Sequence, residues 1–163
     1  MRFEDLVRRH AADLYRYAFW LARDRHQAED VVQEALVRAW RGLPRLRDDA
    51  AAKSWLFSIV RNEHYRLAGR SAPTAEVVSL DEIAAPDERA GPFGLEMREA
   101  LMALPAAHGE PLALQVLGGF SCAEIAAMIG STEGATMTRL ARARQALRRL
   151  VAPAAVARKG ARP

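Results

Sequence analysis

Apolar residues recur at three- and four-residue spacing along almost the whole chain, and strand-type alternation is nearly absent. The pattern predicts an all-helical protein. A first helix is expected over Phe3 to Ala22, with Phe3, Leu6, Val7, Leu14, Ala18 and Leu21 on one stripe. A second is expected from about Gln27 to Arg41, stopped by Gly42 and Pro44, with Ala28, Val32, Ala35, Leu36 and Ala39 facing inward. A third runs from about Ala51 to Ala68 and closes on Gly69. Between Ser71 and Phe93 the periodicity dissolves among Pro73, Pro86, Gly91 and Pro92 with Asp81, Glu82, Asp87 and Glu88, the composition of a flexible acidic linker. Helical spacing resumes from about Gly94 to Leu104, is cut by Pro105, restarts near Glu110 and breaks at Gly118-Gly119. Two more helices are expected at about Cys122 to Ile129 and Glu133 to Leu150, with a small, basic, frayed tail after Pro153. The organisation is two small helical domains, 1–71 and 94–152, joined by a linker at 72–93 and followed by a tail at 153–163.

The last two helices carry the most specific local signal. Ser121-Cys122-Ala123-Glu124 is a capping box: the Ser121 hydroxyl can accept from the Glu124 backbone N–H, and the Glu124 carboxylate can accept from the Ser121 N–H. Gly130 then ends a short helix where a left-handed residue turns the chain, and Thr132 can cap the next one. A short helix, a glycine turn and a longer basic helix form a helix-turn-helix, whose second helix enters the major groove of DNA. On that helix Thr136, Leu140, Ala143, Leu147 and Leu150 align and face the core. The opposite side carries Gly134, Thr138, Ala141, Arg142, Gln145 and Arg149, with Met137 and Arg148 beside it. Arg142 suits guanine or a phosphate and Gln145 suits adenine, while the flanking Arg139 and Arg144 suit phosphates.

The N-terminal half is less explicit. The outward side of the second helix is Asp30, Glu34, Val37 and Arg41 with Gln33 alongside, and an exposed valine among carboxylates points to a protein partner more than to a polyanion. The third helix interleaves Lys53, Arg61, Arg66 and Arg70 with Trp55, Phe57 and Tyr65, and adds Asn62 and His64. Basic and aromatic residues in that mixture suit single-stranded nucleic acid, because every base offers a stacking face. Glu63 falls on the apolar line of this helix and needs a buried partner.

Charge supports two nucleic-acid modules and an inert connector. Residues 1–71, 72–110 and 111–163 carry net charges of +4, −6 and +6. Other classes find little. Apolar runs are far shorter than the roughly 20 residues that cross a bilayer, so no membrane insertion is expected. Met1-Arg2-Phe3-Glu4-Asp5 shows no apolar leader, so a cytoplasmic protein is expected. The single cysteine, Cys122, excludes an internal disulfide, and the four histidines lack metal-ligand spacing. No phosphate-binding glycine loop or nucleophile elbow occurs, so neither an enzyme nor a cofactor or metal is expected. A polymerase-independent helix-turn-helix regulator remains open at this level.

The run AEDVVQEALVRAWRGL, followed by KSWLFSIVRNEHYRLAGR, resembles region 2 of sigma-70-type factors. The run from Leu101 to Leu150, LMALPAAHGEPLALQVLGGFSCAEIAAMIGSTEGATMTRLARARQALRRL, resembles region 4. Both regions with only a short linker between them are similar to the extracytoplasmic-function sigma factors, which are alternative sigma factors that bind core RNA polymerase and direct promoter-specific initiation. The resemblance implies a region 2 three-helix bundle over 1–71 and a region 4 helix-turn-helix over 94–152. It implies that Asp30, Gln33, Glu34 and Val37 meet the polymerase. It implies that the loop from Leu46 to Lys53 and the following helix, through Arg47, Lys53, Trp55, Arg61, Asn62, Tyr65 and Arg66, read and open the −10 element. Thr132, Met137, Thr138, Arg139, Arg142 and Gln145 would then read the double-stranded −35 element, and an anti-sigma factor is a further expected partner. This chain departs from the family in Gly134-Ala135-Thr136-Met137-Thr138-Arg139, where Thr136 takes a core position that is usually aliphatic, and in Leu46-Arg47-Asp48-Asp49-Ala50.

Overall fold

The computed structural model describes residues 2–69, 100–104 and 106–160; the linker expected at 72–93, most of the helix expected before Leu104 and the last tail residues lie outside the described residues. Among the described residues, α1 (Phe3–Ala22), α2 (Arg25–Gly42), α3 (Ala52–Leu67), α4 (Ala106–Gly118), α5 (Cys122–Ile129) and α6 (Glu133–Gly160) follow one another, and residues 100–103 are also helical. Short 3-10 turns at Leu43–Arg45 and Asp49–Ala51 lead from α2 into α3. Among the described residues there is no strand.

The first module is a bundle of α1, α2 and α3 packed mutually. Leu6, Leu14, Ala18 and Leu21 of α1 are buried as their stripe predicts. The inward row of α2 is Ala28, Val31, Ala35 and Ala39, while Val32 and Leu36 are only half-buried. That corrects the expected row by one position at Val31. Three alanines on the contact line let α1 and α3 approach α2 closely, and the larger side chains then fill the edges. Asp24 caps α2 by accepting from the Gln27 N–H at 2.9 Å, and Gly69 takes the left-handed conformation expected after α3.

In the second module Leu112, Ala113 and Leu114 of α4, Phe120, Ile125 and Ile129 of α5 and its approach, and Leu140, Ala143, Ala146 and Leu150 of α6 form the core. Two boundaries differ from expectation. Helix α4 begins at Ala106 and holds Pro111 inside it, where proline keeps a helical φ but loses one N–H bond and crowds the carbonyl four residues back. Helix α6 runs through Pro153 to Gly160 where a frayed tail was expected. Pro153 carries the same cost, and the alanines around it are the strongest helix formers.

The two modules share one continuous hydrophobic core. Tyr17 and Trp20 of α1, absent from the expected stripe, are fully buried because they face the second module. The Trp20 indole N–H donates to the Leu101 carbonyl at 2.9 Å, and the Arg23 guanidinium donates to the Leu104 carbonyl at 2.6 Å. Gly109 makes this approach possible, because a Cβ there would lie 2.8 Å from the Trp20 ring and 2.9 Å from Leu104.

Candidate polymerase and nucleic-acid interfaces

The helix-turn-helix forms as its local chemistry dictates. Glu124 N–H donates to the Ser121 hydroxyl at 3.2 Å and Ser121 N–H to the Glu124 carboxylate at 3.1 Å, so both halves of the capping box are present. Gly130 adopts φ +69 and reverses the chain. The Thr132 hydroxyl then accepts from the Ala135 N–H at 3.1 Å, starting α6. Thr136 is fully buried, and its hydroxyl donates to the Thr132 carbonyl at 2.8 Å. A polar residue at an aliphatic position is thereby satisfied within its own helix.

Behind these caps the outward row of α6 is open. Thr138, Arg142 and Gln145 are exposed, and Met137 is 59% exposed beside them. A Cβ at Gly134 would meet nothing, so no packing within the protein requires a glycine there. Thr132, already engaged in capping, stands at the edge of this row. The flanks behave differently. Arg144 bonds the Gln115 side chain. Arg139 is half-buried, and desolvation by burial, helped by the like charge of Arg61 and opposed by the charge of Glu110, moves its pKa below the usual arginine value. Its charged surroundings thus include Glu110 of α4 and Arg61 of α3.

On α2 the structure brings Asp30, Gln33, Glu34 and Val37 to one accessible side, with Val37 43% exposed. Trp40 extends that surface and is 63% exposed. Sequence reasoning missed it, although it stands three residues beyond Val37 and next to inward Ala39, which is signal enough to place it outside. Glu63 finds the partners its buried position demanded. It pairs with Arg38 of α2 and with Arg66 of α3, the latter at 2.8 Å, and Arg38 in turn lies 3.8 Å from Glu34.

Helix α3 divides the residues expected to meet the −10 element into two groups. Arg47, Asn62 and Arg66 are exposed, and Trp55 is half-buried with its ring against Gly42. Lys53 is also half-buried, its ammonium 5.6 Å from the centre of the Phe120 ring and 6.0 Å from that of Phe57. Arg61 and Tyr65, by contrast, are buried in this arrangement. Their partner is Glu110 of α4. Its carboxylate accepts from Arg61 Nε at 2.5 Å and Nη2 at 3.4 Å, from the Tyr17 hydroxyl at 2.9 Å and from the Tyr65 hydroxyl at 3.3 Å. Burial and then the Glu110 charge push the Tyr17 phenol well above its usual pKa. For Arg61 burial pulls downward, but the bond to Glu110 and its charge outweigh it and hold the guanidinium firmly charged. Stacked Tyr17 and Phe57 (5.3 Å) and edge-to-face Phe57 and Phe120 (4.9 Å) wall in this cluster. The sequence signal for it was available in principle: Glu110 stands beside the apolar run of α4 just as Glu63 stands within α3.

Family comparison agrees with both halves of this layout. The Sigma-70 region 2 family matches residues 6–73, and the Sigma-70 region 4 family matches residues 94–147. The ECF RNA polymerase sigma factor SigL of Mycobacterium tuberculosis is 40% identical over 147 residues, covering 85% of this chain and 82% of that protein. SigM of the same organism is 36% identical over 154 residues, covering 91% and 76%. The chain belongs to the extracytoplasmic-function sigma factors. This sigma factor also resembles, at 30% identity and a TM-score of 0.66, the sigma factor RpoE solved in complex with the anti-sigma factor NepR from Bartonella quintana, over 91% of this chain and 97% of that one. As a member of the family it is an alternative sigma factor that directs promoter-specific transcription initiation. No helix among the described residues of this sigma factor is long and apolar enough to cross a membrane.

Proposed function

We propose that the chain docks core RNA polymerase through the α2 surface of Asp30, Gln33, Glu34 and Val37, extended by Trp40, and reads the −35 element through α6. Residues 1–71 form region 2 and residues 94–152 form region 4. Within region 4, Thr138, Arg142 and Gln145 with Met137 contact base edges, and Thr132 meets a backbone phosphate. Within region 2, Arg47, Lys53, Trp55, Asn62 and Arg66, joined by Arg61 and Tyr65 once these are uncovered, bind the melted −10 strand. The observation that carries this reading is the open row of α6 following a complete capping box and a glycine turn, the order of elements in a helix-turn-helix. An anti-sigma factor fits as a regulatory partner, since the similar RpoE was solved with one. The protein works in the cytoplasm, where polymerase and promoter are.

The deciding experiment is in vitro transcription of a genomic DNA library with core polymerase. Promoter-specific start sites that appear only when this protein is added are the expected result. Operator binding by the protein alone, with no polymerase-dependent transcript, would overturn the reading in favour of an ordinary helix-turn-helix regulator.

A further inference from the structure

The outward row of α6 carries a small apolar patch beside its polar groups. Met137 is 59% exposed, and the residues one turn to either side of it, Gly134 and Ala141, are exposed and too small to cover it. Thr138 belongs to the same patch. Its hydroxyl donates to the Gly134 carbonyl at 3.2 Å, so its single O–H is committed to the helix's own backbone and the methyl is what remains to meet a ligand. Arg142 and Gln145 follow on the row and are exposed as well. A lone apolar residue on a surface means little. Here, however, three apolar groups stand together on the row that a helix-turn-helix turns to the major groove. That groove offers one apolar mark, the C5 methyl of thymine. A methionine has no donor for a phosphate, while its flexible, polarisable thioether adapts to a methyl. Four helical residues rise about 6 Å, which is about two base pairs at about 3.4 Å each. The patch from Met137 to Ala141 therefore spans one or two adjacent pairs.

We propose that Met137, framed by Thr138 and Ala141, reads the thymine methyl at one or two adjacent A·T pairs of the −35 element, so that specificity there comes from apolar contact and not from a hydrogen bond. The inference rests on α6 being the −35 reader, and it names what one part of that helix recognises. The contact ranks the pyrimidines. Thymine fills the space against the thioether, and uracil keeps the same O4 acceptor but leaves a gap the size of a methyl. Cytosine is worst, because its N4 amino group would lose water against the patch and find no acceptor there. Arg142 and Gln145 supply the polar half of the readout, toward guanine and adenine.

The test uses holoenzyme assembled from the full chain and core polymerase, with a labelled promoter duplex taken from the library transcription. Each thymine on either strand of the −35 element is replaced in turn by deoxyuridine, which keeps the base pairing and removes one methyl. Wild type is expected to bind about fourfold more weakly at one or two adjacent positions, the worth of one methyl taken out of water, and to lose more with cytosine there. Met137→Ala is expected to bind the thymine and uracil duplexes alike at those positions. Met137→Leu, which keeps an apolar side chain of similar size, is expected to retain most of the preference. A methionine with a merely structural role would, on removal, weaken both duplexes equally and leave their ratio at the wild-type value, and that result would overturn the proposal. Indifference of the wild type to deoxyuridine at every position would overturn it as well. Scrambling the whole −35 element separates this idea from the one beneath it. If scrambling weakens wild-type binding while deoxyuridine does not, the thymine contact alone falls. If scrambling changes nothing, the −35 assignment of α6 falls with it.

Discussion

Helices α3 and α6 are both basic, both lie in modules of similar size and both are assigned to DNA, yet the fold treats them oppositely. The outward row of α6 is bare, and its neighbours cap and support the helix from behind. The corresponding side chains of α3 are sunk into a junction with aromatic walls and an acidic partner. The difference shows that a basic, aromatic helix face reports a capacity for nucleic acid and says nothing of whether that face is available. The carboxylate that meets Arg61 there, Glu110, lies 49 residues along the chain.

The contrast can be tested first on stability. Phe57 is fully buried at the junction, touching both Tyr17 and Phe120, so Phe57→Ala is expected to lower the unfolding free energy by about 3–5 kcal/mol. Met137→Ala, on the open row, is expected to change it by less than about 0.5 kcal/mol. Similar losses in chemical denaturation would break the comparison. Next comes binding. Arg142→Ala is expected to cost about 1–3 kcal/mol at the −35 element when the contact is bidentate to a base, with the unfolding curve unmoved. Measured against promoters varied one base pair at a time, a loss confined to particular sequences marks base reading, and a uniform loss makes Arg142 a phosphate contact. Glu34→Arg reverses a charge on the α2 surface and is expected to weaken association with core polymerase about tenfold in a titrated pull-down. Unchanged affinity would detach that surface from polymerase binding. The smallest effect is local: Ser121→Ala removes half of the capping box and is expected to cost about 1 kcal/mol, read as a lowered midpoint of thermal unfolding.

Much of this was legible in one chain. The bounds of α1 and α5, the reciprocal Ser121 and Glu124 bonds, the left-handed Gly130 and the Thr132 cap all depend on residues within four positions of one another, and all were found where the sequence places them. Glu63 was a partial success. Its need for a partner was readable, but that the partners would be Arg38 and Arg66 was only half local, since Arg38 belongs to another helix. Tyr17, Trp20 and Glu110 were not legible as a group, because nothing in the spacing of α1 tells which of its faces a second module will cover.

Most helices, their caps and the sign of the charge on each face could be read from the chain, because they follow from interactions within a few residues and from a period of 3.6. Which of two similar basic helices stands open is set by long-range packing. That choice rests on Arg61 meeting Glu110 across the junction, and a buried ion pair between residues distant in sequence holds together only when the fold removes both from water at once.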